Sequence, residues 1–214
     1  YTKAVALKLI GQAMVIEGYH RVDTSQYRDL PPAVKRLLTH GAGLVVSFTT
    51  NSPAIAARWC VTNAMPYTNM PPIANKGLGL YIKRNGKWQF AGVARPDSVC
   101  SESVLVKNMD EDKKECLLYL PLYDEIKNLE IGVDAGKYLK PGTNPFDKRI
   151  LIYGSSIVQG ASASRPGLAY PARLSRETGL HFLNLGLSGS AKMEKAAAHL
   201  VAAVEADAFV LDCV

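Results

Sequence analysis

Long apolar runs are missing from this 214-residue chain. None reaches the roughly 18 residues that span a bilayer, so no transmembrane helix is expected. Histidine and cysteine are scarce, with four of each. Cys60, Cys100, Cys116 and Cys213 form no C-x-x-C pair and do not cluster with the histidines. That argues against a zinc site, and no metal or other cofactor is expected. Their spacing does not identify a disulfide; Cys213, inside an apolar run, is expected to be a buried free thiol. A strong charge imbalance is also missing. The net charge of +6 divides into 18 basic and 13 acidic residues over 1–146, and 7 and 6 over 147–214. No basic stripe alternates with aromatics, so nucleic acid is not an expected partner. No signal-peptide pattern opens the chain, which starts at Tyr1 as a mature or trimmed product would.

What is present is enough to bury a core. At 48% hydrophobic and 21% charged residues the composition is globular, and the length allows one large domain or two small ones. Up to about residue 135 the chain alternates short β-rich stretches with turn residues. Leu44–Thr49 is broken by Asn51-Ser52-Pro53, and Ile55–Val61 resumes the strand character. Leu80–Arg84 and Lys87–Phe90 flank Asn85-Gly86, the dipeptide of a type I′ hairpin turn. Further strands fit Ser103–Val106, Cys116–Leu122 and Leu129–Val133, with the charged run Asp110–Glu115 read as a solvated turn. No helix-period stretch of useful length interrupts this half, and a β-sandwich is expected.

Pro141-Gly142-Thr143-Asn144-Pro145 marks a boundary, dividing the chain into a domain over 1–140 and another over 147–214. Beyond it the pattern becomes strand (Arg149–Tyr153), helix (Leu168–Glu177), strand (Phe182–Leu185), Ala-rich helix (Lys192–Glu205) and strand (Ala208–Val214). That order belongs to a parallel α/β sheet.

The first of these strands runs into Gly154-Ser155-Ser156-Ile157-Val158-Gln159-Gly160, where open α/β sheets bind ligands. Three phosphate or nucleophile loops fail there. The second glycine comes one residue too late for a Walker A loop, and Ala161-Ser162 follows where Lys should. Ser156 stands at the second glycine of a dinucleotide fingerprint, and Val158 at the closing glycine of a nucleophile elbow.

The run Tyr153–Gly160 instead resembles the first block of the SGNH/GDSL hydrolases, G-D/T/N-S-I-x-x-G, and Asn184-Leu185-Gly186-Leu187-Ser188-Gly189 resembles their second block. In the first half, Gly77-Leu78-Gly79-Leu80-Tyr81 is similar to the G-x-D-L-Y motif of the β-rich N-terminal domain in one esterase branch, with Gly79 in place of its Asp. The resemblance implies a jelly-roll-like sandwich followed by an incomplete flavodoxin-like three-layer α/β hydrolase domain. It also implies Ser156 as nucleophile, with the N–H groups of Ser156 and Gly189 as oxyanion hole. A serine hydroxyl needs a general base, and the tetrahedral oxyanion is best held by preorganised N–H donors.

The family draws an Asn, and an Asp and His in Asp-x-x-His, from blocks after the third strand. Neither block occurs in residues 1–214, and both are expected beyond residue 214. His181 is expected at the strand end away from the site, His199 on a helix face, and His20 and His40 in the β-rich half. Asp212 is expected in a structural role. Two functions stay open. One is an ester hydrolase removing acetyl or similar acyl groups from carbohydrate or another small ester, secreted or periplasmic. The other is a non-catalytic product whose β-rich domain binds glycan.

Overall fold

The computed structural model describes residues 1–65 and 67–213. Thirteen strands are assigned among them: β1 (Thr2–Lys3), β2 (Lys8–Ile10), β3 (Val45–Thr50), β4 (Ile55–Val61), β5 (Leu78–Arg84), β6 (Lys87–Ala94), β7 (Cys100–Val106), β8 (Lys114–Tyr119), β9 (Ile126–Val133), β10 (Leu139–Pro141), β11 (Asp147–Gly154), β12 (Leu180–Gly186) and β13 (Ala208–Asp212). The α-helices are α1 (Pro32–Leu38), α2 (Pro72–Lys76), α3 (Ser156–Gln159), α4 (Tyr170–Thr178) and α5 (Lys195–Ala202).

Strands β1 to β10 build two antiparallel sheets, β1-β9-β4-β7 and β10-β3-β8-β5-β6, with β2 also on β3. The hairpin turn between β5 and β6 forms at Asn85 and Gly86, whose φ values of 51° and 76° are the positive pair that a type I′ turn requires. The core between the sheets is apolar, with Phe48, Ile55, Trp59, Leu80, Leu118 and Ile131 among its buried members.

The unbroken apolar run Cys116–Leu120 has a structural cause. A strand covered on one face alternates apolar and polar residues, whereas one covered on both faces need not. Cys116, Leu118 and Leu120 face the sandwich core. Leu117 and Tyr119 face outward, into a second cluster with Val45, Tyr81, Phe146 and Ala172 of α4. The six-stranded sheet is therefore a shared wall: one face closes the sandwich and the other receives the second half of the chain.

That second half is a parallel sheet in the order β12-β11-β13. Central β11 is buried over its last four residues, Leu151–Gly154. Helix α4 has a proline in its first turn and ends at Gly179, whose φ of 78° supplies the left-handed residue common after a helix. The β-rich half followed by parallel α/β layers agrees with the fold class read from sequence.

The structure departs from sequence reading in three places. Residues 32–38 form helix α1, where no helix was expected; Pro32 opens it, and Val34, Leu37 and Leu38 share its buried face. Together with Ala13, Val22 and Leu30 they pack on Leu151, Tyr153, Leu183 and Leu185 of the parallel sheet and on Leu200 of α5. This early segment thus covers the α/β layer rather than joining the sandwich. Of the charged run, residues 110–113 form an irregular turn, but Lys114 and Glu115 open β8, and Lys114 is buried, its ammonium donating to the carbonyls of Asp110 (2.5 Å) and Asp112 (2.7 Å). Within residues 1–214 Cys213 is exposed rather than buried, next to β13, whose Phe209, Val210 and Leu211 are 47, 42 and 56% exposed.

Cys60 and Cys100 are opposite one another on β4 and β7 and form a disulfide, while Cys116 is a buried free thiol that burial pushes up to about 12. The bridge closes a loop with a sequence separation of 40. Loop-closure entropy assigns such a crosslink about 4 kcal/mol as an upper figure. Cys60→Ser is expected to lower the unfolding free energy by about 2–4 kcal/mol. Urea denaturation of wild type and variant, each with and without reductant, checks this: reductant should move the wild type down to the variant and leave the variant unchanged.

Candidate active site

The three parallel strands end level. Gly154 pairs with Gly186 on one side and with Asp212 on the other, so the turns that follow leave the same sheet edge. Ser156 opens α3 two residues beyond Gly154 and is half-buried. Its N–H belongs to the first turn of a helix, which has no intrahelical acceptor. Residues 188–190 form a turn just beyond Gly186. The two turns are tied together: the N–H of Leu187 donates to the Gly154 carbonyl at 2.7 Å, and that of Ser188 to the Gln159 side-chain oxygen at 2.9 Å.

The glycines of the second block do different work. A Cβ on Gly186 would stand 2.0 Å from the backbone nitrogen of Gln159, so only hydrogen there lets α3 sit against β12. Gly189 has nothing within 4 Å of that position, but its φ of 67° is left-handed. It is glycine for its conformation, not for close approach, and it is exposed.

Asn184 fastens the arrangement from below, donating to the Val158 carbonyl at 2.7 Å and accepting from the Gly186 N–H at 2.8 Å. Three further residues come from the first half of the chain, where sequence reading had placed no site residue. The fully buried guanidinium of Arg21 donates to the carbonyls of Asn184 (2.9 Å), Gly186 (3.0 Å) and Leu37 (2.5 Å). Burial pulls its pKa down to about 9, which leaves it charged at neutral pH. The Tyr123 hydroxyl donates to the Ser156 carbonyl at 3.3 Å. The His40 ring lies 3.3 Å from the Gln159 amide. None carries a motif; each sits in irregular chain after a turn, and only the aromatic and basic type of residue could have drawn notice.

No described histidine is arranged as a base for Ser156. Burial, and then the nearby Arg21, hold His40 at about 3, far too low for a general base at neutral pH. His181 is at the opposite end of β12, beside Arg149, and burial lowers it to about 4. His199 is exposed on α5, and His20 pairs with Glu125 at 2.7 Å. Asp212 is exposed at the level of Gly154, where it accepts from the Tyr170 hydroxyl at 3.4 Å. A cavity of about 690 Å³ beside His199 and Tyr27 lies along α5 rather than at Ser156.

The G-x-D-L-Y-like stretch forms the seam between the halves. A Cβ on Gly79 would stand 3.6 Å from the Gly167 nitrogen and 3.7 Å from the Pro166 ring, in the short 3-10 turn that follows the serine loop. The position that carries Asp in the motif therefore faces the first turn of that segment. Tyr81 lies under the Arg176 guanidinium of α4, 3.8 Å from ring centroid to its carbon, and the same guanidinium donates to the Gly167 carbonyl at 2.6 Å.

A β-sandwich walled against a parallel α/β sheet, with a serine turn and a glycine turn at one strand edge, is the architecture of the GDSL-type esterases and lipases. Residues 1–139 match the family described as the GxDLY N-terminus of SGNH-hydrolase-type esterases, and residues 147–214 match the GDSL-like lipase/acylhydrolase family. The chain belongs to the GxDLY branch of the SGNH-hydrolase-type esterases.

Among solved structures it is similar to a Bacteroides ovatus protein assigned as a GDSL-like lipase, with 59% identity and a TM-score of 0.97 over 99% of this chain and 63% of that one. The salicylyl-acyltransferase SsfX3 of a tetracycline biosynthetic pathway shares the fold at 21% identity, TM-score 0.75, over 96% of this chain and 58% of that one. A family two carbohydrate esterase from Clostridium thermocellum, in complex with cellohexaose, shares it at 13% identity, TM-score 0.53, over 70% of this chain and 46% of that one. This chain thus spans under two thirds of the length of each. No curated protein matches it.

Two outcomes are expected. Gly186→Ala should cost about 3 kcal/mol, because backbone must shift to admit the methyl, whereas Gly189→Ala should cost only about 1 kcal/mol of left-handed strain; thermal denaturation of both variants compares them. The second concerns pH. His40 and His181 are held near 3 and 4 in the folded chain, against about 6.5 when unfolded. Between those values protons bind the unfolded chain better, so stability is full above about pH 6.5 and falls as pH drops toward 4. Urea unfolding across that range should show the decline, and His181→Gln should make it shallower, with His40 supplying the remainder.

Proposed function

We propose that the protein is a serine ester hydrolase in which Ser156 is the nucleophile and the N–H groups of Ser156 and Gly189 receive the oxyanion. The observation that carries this reading is the level ending of β11 and β12. It sets the first N–H of α3 and the left-handed Gly189 turn on one edge, tied by the Gln159–Ser188 hydrogen bond. In the mechanism Ser156 Oγ attacks the ester carbonyl and passes its proton to a base, the carbonyl oxygen becomes an oxyanion between the two N–H donors, and collapse expels the alcohol. Water then releases the acid.

The base is assigned to residues outside 1–214, since each described histidine is occupied or misplaced as set out above. The Asp-x-x-His expected from the family resemblance supplies it. Residues 1–140 are taken as the sandwich domain and 147–214 as the first part of the hydrolase domain. The substrate proposed is an acylated carbohydrate, in particular an acetyl ester. Support comes from the shared fold of the carbohydrate esterase seen with cellohexaose. A secreted or periplasmic location accords with the Cys60–Cys100 disulfide, since such bonds persist in oxidising compartments.

The test compares three proteins on 4-nitrophenyl acetate: the full-length protein, its Ser156→Ala variant, and residues 1–214 alone. The full-length protein should turn over at enzyme-like rates. The variant and the short chain should fall by roughly 10⁴ to 10⁶ in kcat, the usual result of removing a triad member. An undiminished Ser156→Ala protein removes Ser156 from the mechanism, and full activity in residues 1–214 places the base within them.

A further inference from the structure

Tyr123 has two sides. Its hydroxyl is on the Ser156 carbonyl, and its ring lines a cavity of about 250 Å³ whose lining residues come from the first half of the chain. Arg36, His40, Asn63, Tyr67 and Glu125 line it with Tyr123. Tyr67 stands edge-on to Tyr123, with ring centroids 5.6 Å apart and planes at 78°, and is itself exposed. The Arg36 guanidinium donates to the Tyr67 hydroxyl at 3.4 Å. A buried Lys76–Asp124 ion pair also borders the cavity, so neither charge is left over.

The donor that this cavity offers can be worked out from the bonds behind it. The Gln159 side-chain oxygen is taken by the Ser188 N–H at 2.9 Å. Its amide nitrogen is therefore the group that donates to the Leu122 carbonyl at 3.1 Å and meets His40 Nδ1 at 3.3 Å. Nδ1 must then accept, which leaves the proton of the neutral imidazole on Nε2. Nε2 has no hydrogen-bond partner among the described residues. A continuous chain thus runs from the turn beside Gly189, through Gln159 and His40, to an unused donor in a cavity that His40 lines.

The lining selects among ligands. An acyl chain wants an apolar slot, and this cavity interleaves a guanidinium, an amide, a carboxylate and an imidazole. A phosphate wants several unneutralised cations, and here Lys76 is paired with Asp124, which leaves the Arg36 guanidinium alone in a lining that also holds the Glu125 carboxylate. Aromatic faces with several mixed donors and acceptors suit a ring that is apolar on its C–H face and hydroxylated at its rim.

We propose that this cavity is the subsite for the sugar ring on the alcohol side of the ester, with Tyr67 and Tyr123 as its apolar wall and His40 Nε2–H as a donor to a ring hydroxyl. The subsite rests on the ester-hydrolase reading above. It places part of substrate selection in the β-rich half, one residue away from the nucleophile's backbone.

The experiment uses the full-length protein and two substrates, a mono-acetylated methyl hexoside and 4-nitrophenyl acetate, which shares the acyl group but has no sugar. Tyr67→Ala, at an exposed position, and His40→Phe, which keeps a ring but removes the donor, are each expected to lower the sugar-to-aryl ratio of kcat/KM by about tenfold, mainly through KM. Independently, calorimetry in the Ser156→Ala background should show the Kd for the acetylated hexoside rising about tenfold on adding Tyr67→Ala. A ratio and a Kd unchanged by Tyr67→Ala overturn the subsite while leaving the hydrolase intact. Ser156-independent turnover of both esters overturns the hydrolase reading itself, and the calorimetry still judges the cavity.

Discussion

The guanidinium of Arg21 is buried without a carboxylate and is held instead by three backbone carbonyls, two at the end of β12 and one in the last turn of α1. Helix-end and strand-end carbonyls buried without donors would each carry a desolvation penalty. A planar guanidinium with several fixed donors satisfies them together, which a lysine could not do with the same geometry. The cost is a charge out of water, visible in a pKa drawn down to about 9. The return is that residues 11–38 are clamped to the strand edge on which Ser156 and Gly189 are carried.

Everything near the site is built outward from that clamp. Asn184 and Gly186, whose carbonyls Arg21 holds, are the residues that seat α3: one by its amide on Val158, the other by lacking a side chain where Gln159 passes. Gln159 in turn holds Ser188 and reaches His40. On the other side, Arg176 stacks on Tyr81 and bonds Gly167, so the sandwich wall bears on the segment following the serine loop. The serine turn is thus gripped between two halves that the chain's composition presents as separate.

Much of this was legible before any coordinates. Asn85-Gly86 identified a hairpin because few residues tolerate two consecutive positive φ angles. Gly154–Gly160 and Asn184–Gly189 marked the two turns because sharp loops at strand ends restrict residue type severely. Helix α1 was not legible, since seven residues with no side-chain cap give too short a period to stand out. Arg21 and His40 were not either, since an isolated basic residue or histidine in irregular chain is, by sequence, indistinguishable from one in solvent. Lys114 misled for the same reason: in a run of charges nothing marks the one ammonium that folds back on its own carbonyls.

The sequence by itself determined the local geometry: which stretches alternate, where the chain must turn, and which serine follows a buried strand. These are short-range properties, set by sterics within a few residues. Tertiary structure alone decided which face of β8 each residue serves, that Cys60 and Cys100 meet, and that Arg21, His40 and Tyr123 reach the serine turn. Those partners are separated by 33 to 165 positions. Nothing in the local pattern encodes so distant a partner, because its energy arises only when both segments have left water together.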